Sequence, residues 1–128
     1  MKKRFYYPMV VAFILPTFFN TAFADYSKEF DQCIDTWGPS TPAVVKCMNE
    51  ELSKRDKLLN TAYKQYMARI QDFRKEDLRN TQRLWIQYRD AKCGMFYHSE
   101  SGSGGLEDLN DCMIKETIQR TKELNEGW

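Results

Sequence analysis

The chain has 128 residues, 19 Lys+Arg against 18 Asp+Glu, 14% aromatic residues and four cysteines. That length accommodates one domain with a modest core, which covalent staples would help to hold. The near-neutral balance lacks the basic excess of a nucleic-acid-binding surface.

In chain order, residues 1–24 come first. They carry Lys2, Lys3 and Arg4, an apolar run from Phe5 to Leu15, then Pro16, and finally Ala22-Phe23-Ala24 with small residues where a signal peptidase needs them. The expectation is a cleavable signal peptide cut before Asp25, with residues 25–128 forming one domain that works outside the cytoplasm, in the periplasm or secreted. A membrane anchor fits poorly: a spanning helix needs roughly 20 apolar residues, and Pro16 interrupts this run. No Cys sits at the expected cut to carry a lipid. Cleavage leaves 16 Lys+Arg against 18 Asp+Glu, a formal charge of −2.

Residues 26–37 place Tyr26, Phe30, Cys33, Ile34 and Trp37 at helical spacing, which predicts a short amphipathic helix ended by Gly38-Pro39. Thr41 is the expected N-cap and Pro42 the first-turn proline of a second helix. That helix carries a stripe of Val45, Met48, Leu52, Leu59, Tyr63, Tyr66, Ile70 and Phe73, about eight turns long. No Gly or Pro occurs between Ala43 and Cys93, so one continuous helix is an alternative. The stripe favours a hairpin, because only Leu78 is strongly apolar between Arg74 and Arg83 before the pattern resumes at Leu84, Trp85, Tyr88, Ala91 and Met95. A turn within residues 72–77 would fold the two apolar faces together. Residues 99–105 (SESGSGG) read as an exposed, flexible loop. A last helix is expected from about Leu106, with Leu109, Met113, Thr117, Arg120 and Leu124 on one side. The predicted fold is all-α, a small up-and-down helical hairpin or bundle stapled by two disulfides.

Cys33, Cys47, Cys93 and Cys112 all follow the expected cut, and an even count in an exported chain implies two disulfides among three possible connectivities. Cys33–Cys47 and Cys93–Cys112 are preferred as sequence neighbours, each restricting the unfolded chain by about 3 kcal/mol. Up-and-down packing puts all four at one end, so crossed pairings are also within reach. Zinc is the rival use. With no Cys-x-x-Cys pair and no local His, neither a metal nor any other cofactor is expected.

Catalysis has little to stand on. The single His, His98, has no carboxylate placed by spacing to orient it, and oxidised cysteines supply no nucleophile. The pairs Glu50-Glu51 and Glu76-Asp77 read as solvated helix faces. Polar residues inside the stripes say more. Folding the hairpin about residue 74 sets Tyr63 opposite Trp85 and Asn60 opposite Tyr88 and Arg89, with Asp56 one turn along. Arg89 would then reach Asp56 or Asn60, and Arg120 would lie near Trp85, its guanidinium stacked on the indole. These are expected to be structural roles.

The segments Asp56-x-x-Leu59-Asn60-x-x-Tyr63, Gln82-Arg83-x-Trp85-x-x-x-Arg89-Asp90-x-x-Cys93 and Cys112-x-x-x-x-Thr117-x-x-Arg120-Thr121-x-x-Leu124 resemble the LprI-like family of secreted bacterial proteins, whose name comes from a lysozyme inhibitor. The resemblance covers nearly the whole of residues 25–128. It implies a non-enzymatic protein whose partner is another protein, a lysozyme-type muramidase. A loop pinned at both ends by Cys93 and Cys112 would offer Lys92, His98, Ser99, Ser101 and Ser103 to the carboxylates of such an enzyme's cleft. Two other functions are compatible with the residues: an envelope stress chaperone using apolar helix faces, and an immunity protein against a toxin delivered to the periplasm.

Overall fold

The computed structural model describes residues 26–127; the expected signal peptide, residues 1–24, lies outside them. Among the described residues there are four α-helices and one short 3₁₀ turn, with no strand: α1 (Lys28–Trp37), α2 (Thr41–Arg69), the turn Asp72–Arg74, α3 (Lys75–Gly94) and α4 (Gly104–Glu126). The all-α bundle with two disulfides is the fold the sequence predicts.

Each boundary has a local cause. Ser27 caps α1, its Oγ accepting the Phe30 N–H at 3.4 Å, and Glu29 and Asp31 place negative charge at the positive end of the helix dipole. Gly38 ends α1 at φ 81°, where its N–H donates to the Ile34 carbonyl. Thr41 was expected to cap α2, but Ser40 holds that position, with Thr41 already helical and Pro42 inside the first turn. Backbone geometry alone sets this cap, since Ser40 makes no side-chain capping bond.

The long apolar segment does break, by extended backbone at Ile70 and Gln71 followed by the 3₁₀ turn, so the continuous helix is ruled out. The turn Asp72–Arg74 falls within the expected 72–77, and α2 ends just ahead of it at Arg69. As a result Phe73, assigned by periodicity to the buried stripe, sits in the turn and is 71% exposed.

A larger departure concerns what the hairpin packs against. The expectation was that α2 and α3 fold their apolar faces directly together. Instead α2 and α3 make little direct contact, and α4 packs extensively on α2 and also on α3. The reason lies in α4 itself: it buries Asn110, Ile114, Thr117, Ile118, Arg120 and Leu124, more than any other helix. A helix with that many inward residues takes the central place. The core gathers Leu59 and Ala62 of α2, Leu78 of α3 and Leu124 of α4, with Tyr63, Tyr66, Met67, Ile70 and Trp85 packed around them. Burying an aliphatic side chain such as Leu124 contributes roughly 1.5–3 kcal/mol.

Because α4 occupies the middle, the stripe assigned to α3 does not become a core face. Leu84, Tyr88 and Met95 are exposed, and among the apolar residues of that helix only Leu78, Trp85 and Cys93 are buried or half-buried. At the other end of the molecule the two disulfides tie the helices in sequence pairs. Cys33–Cys47 joins α1 to α2 with Cα atoms 5.7 Å apart, and Cys93–Cys112 joins α3 to α4 at 5.4 Å. Both separations suit an unforced bridge. The crossed pairings are thereby excluded.

Candidate functional site: a polar groove and a pinned loop

Two features could meet a partner. The first is a groove of about 440 Å³ between α2 and α3. From α2 it is lined by Asp56, Leu59, Asn60 and Tyr63; from α3 by Arg79, Gln82 and Arg83, and further along by Trp85, Ile86 and Arg89. Most of the motif residues expected to close a seam therefore line open space. The helices are held apart by α4, which leaves polar side chains and the apolar Leu59, Trp85 and Ile86 lining the gap together.

The groove wall is built on two arginines. Arg89 comes from α3 with its side chain only 11% exposed. Its Nη1 donates to Asp56 Oδ1 at 3.3 Å and to Thr117 Oγ1 at 3.2 Å, and its Nε donates to Asp90 at 3.0 Å. Of the two partners expected for Arg89, Asp56 is the one reached. Arg120 comes from α4 and is 4% exposed; its Nε donates to Gln82 Oε1 at 3.0 Å and its Nη1 to Glu123 at 3.0 Å. Both guanidiniums lie over the Trp85 ring, at 5.1 Å for Arg89 and 5.9 Å for Arg120. The expected Arg120–Trp85 stack is present, and Arg89 joins it. Charge-assisted bonds of this kind fix side-chain positions strongly, and a buried cation stays tolerable only while they persist.

The second feature is the connection between α3 and α4. It projects Met95, Phe96 and Tyr97, which are 83%, 48% and 50% exposed. Composition suggested flexibility, but the loop is braced. The His98 N–H donates to Ser101 Oγ at 3.1 Å, the Ser101 N–H donates back to the His98 carbonyl at 2.9 Å, and the Glu100 N–H donates to His98 Nδ1 at 3.3 Å. That last bond makes Nδ1 an acceptor, so the neutral ring carries its proton on Nε2. Gly105 opens α4 directly beneath: a Cβ there would stand 2.7 Å from Ser101 Cβ and 2.9 Å from the Phe96 carbonyl. Only glycine lets the loop lie this close.

Among the loop residues proposed from sequence, Ser101 is occupied in the turn. Lys92 lies on α3, its ammonium 2.6 Å from Glu116 of α4. That hydrogen bond holds the Lys92 amine above its ordinary range. Ser99 and Ser103 are exposed, Ser99 with its hydroxyl 3.4 Å from His98 Nδ1. Sequence reasoning missed the apolar tip Met95-Phe96-Tyr97: it read Met95 as the end of a buried stripe and left Phe96 and Tyr97 unassigned. It also misread Glu51, treated as solvated alongside Glu50. Glu50 is exposed, but Glu51 is 3% exposed and accepts the Ser27 N–H at 3.0 Å, the Ser27 hydroxyl, and the Arg55 Nε–H at 2.7 Å. No spacing rule distinguishes two adjacent glutamates; the docking of α1 does.

Among the described residues no helix is long and apolar enough to cross a membrane, and no group of His, Cys, Asp and Glu is arranged to hold a metal. Fold and surface together define a small disulfide-stapled helical module, with a braced exposed loop at one end and an open polar groove along its side. Residues 33–124 match the sequence model of the family described as lysozyme inhibitor LprI, and the chain belongs to that family. No curated protein and no solved structure matches it.

Proposed function

We propose that this protein acts outside the cytoplasm as an inhibitor of a lysozyme-type muramidase, and that residues 95–103 enter or cover the enzyme's cleft. Membership of the lysozyme inhibitor LprI family supports the activity. Two disulfides with no free cysteine among the described residues suit an oxidising compartment.

The observation that carries the choice of surface is the loop's combination of exposure and rigidity. A protein-binding hot spot needs large side chains that become desolvated and lose little entropy on docking. Met95, Phe96 and Tyr97 supply the area, and the Cys93–Cys112 bridge with the His98–Ser101 turn supplies the preorganisation. Beside them His98 presents an Nε2–H donor, and Ser99 and Ser103 present hydroxyls. A glycosidase cleft built on paired carboxylates accepts such donors. A formal charge of −2 after signal cleavage adds slight steering toward a cationic enzyme.

Lysozyme clearing of a cell-wall suspension, with and without the purified protein, tests this. Inhibition is expected at micromolar excess, and a Phe96→Ser/Tyr97→Ser variant should weaken it about tenfold or more through loss of the apolar anchors. Undiminished clearing at that excess would reject the activity. Inhibition unaffected by the loop variant would reject the loop.

A further inference from the structure

None of the groove residues belongs to the loop, and the groove has a chemistry of its own. Its volume of about 440 Å³ falls within the roughly 300–1,000 Å³ typical of small-molecule sites. One wall is the Trp85 indole, held by Arg89 and Arg120. Gln82 gives its carbonyl oxygen to Arg120, which leaves its NH₂ to donate elsewhere. Across the gap stand the Asn60 amide and the Tyr63 hydroxyl, neither hydrogen-bonded to another described side chain. An aromatic wall ringed by single donors and acceptors complements a ring that carries a hydroxyl on nearly every carbon, with its C–H groups against the apolar lining of Leu59, Trp85 and Ile86.

The charges narrow the class further. At the base Arg89 is opposed by Asp56 and Asp90, so no net positive charge remains there. At the rim Arg79 and Arg83 share one carboxylate, Glu76, at 2.8 and 3.3 Å, with both guanidinium side chains at least half exposed. One positive charge is in excess at that point, enough for one carboxylate and too little for a polyphosphate. We propose that the groove is a binding site for a short saccharide bearing a carboxylate, its ring packed against the part of Trp85 that lines the groove, its hydroxyls on Asn60, Tyr63 and Gln82, and its acid on Arg83 at the rim. A preformed groove suits this: α4 already holds α2 and α3 apart, so no rearrangement is needed for entry. The site is independent of lysozyme docking, and either can fail without the other.

The test is NMR titration of the purified protein with N-acetylmuramic acid and with glucuronic acid, alongside the neutral sugars N-acetylglucosamine and glucose and with acetate as a plain carboxylate. Selective shifts of groove amides and of the Trp85 indole N–H are expected with one or both acidic sugars. The pattern separates a cell-wall source from a uronic-acid polysaccharide. Arg83→Gln, an exposed change that should not disturb folding, is expected to weaken acidic-sugar binding about tenfold by removing a charge-assisted bond. It should leave neutral sugars and lysozyme clearing unchanged. No groove shift with either acidic sugar, an equal response to neutral sugars or acetate, or an Arg83→Gln variant that binds as the parent does would each overturn the proposal.

Discussion

Two polar networks stabilise this molecule, one where α1 docks on α2 and one where α2 and α3 diverge over α4, and they have opposite outcomes. At the first, Glu51 gathers Ser27 and Arg55, the Tyr26 hydroxyl donates to Asp111 at 2.8 Å, and the space left beside them is only about 60 Å³. At the second, Arg89 and Arg120 gather comparable numbers of partners, yet about 440 Å³ stays open in front of them. The first network closes an interface. The second positions an aromatic ring and several amides at a surface that nothing in the described chain covers. Buried charge by itself therefore does not mark a site; a buried charge network that braces an open wall is the better signal.

The sharpest way to break that contrast is to remove the central ion from each network. Arg120→Ala is expected to destabilise the fold by about 3–5 kcal/mol in urea unfolding, because Gln82 and Glu123 lose a buried cation. It should also alter the Trp85 environment and the groove. Glu51→Ala should destabilise by a similar or slightly smaller amount, with the loss of hydrogen-exchange protection concentrated in α1 and the groove unchanged. Were Glu51→Ala to perturb the groove as strongly as Arg120→Ala does, the two networks would have to be treated as one.

Next in size is Gly105→Ala. Forcing a methyl group against Ser101 and the Phe96 backbone should cost about 1–3 kcal/mol and shift the loop, so lysozyme inhibition should fall while acidic-sugar binding persists. Smaller still is the alkaline limb of stability. Burial, reinforced by the bond to Asp111, raises the Tyr26 hydroxyl above its ordinary value of 10.0. A raised value means the contribution is intact below about pH 10 and is lost as pH climbs above it, since the unfolded tyrosine ionises first. Tyr26→Phe should flatten that limb in thermal melts and cost about 1 kcal/mol near neutrality.

The smallest effect is on the acid side. The hydrogen bond from Lys54 draws Glu29 down to about 2 from its ordinary 4.5, so its contribution is full above 4.5 and disappears as pH falls toward 2. The pair is exposed, and high salt should erase the effect. Melting curves of Glu29→Gln against the parent across that window, at low and high salt, provide the measurement.

The sequence by itself determined the helices, and it favoured, without deciding, a break between α2 and α3 and the pairing of neighbouring cysteines. These follow from short-range physics: apolar period, capping residues, Gly38 and Pro39, and the entropic advantage of neighbouring thiols. It also placed Arg89 with Asp56 or Asn60 and Arg120 with Trp85, because register along antiparallel helices is arithmetic once the turn is located. Which face of each helix met another was decided only by tertiary structure. A stripe such as Leu84, Tyr88 and Met95 has the same period whether it faces a core or solvent, and α4, not that face of α3, fills the interior. Likewise nothing local separates buried Glu51 from exposed Glu50, or a closed polar seam from an open groove. Those outcomes depend on where α1 docks and on the volume α4 occupies, both set by the whole chain packing at once.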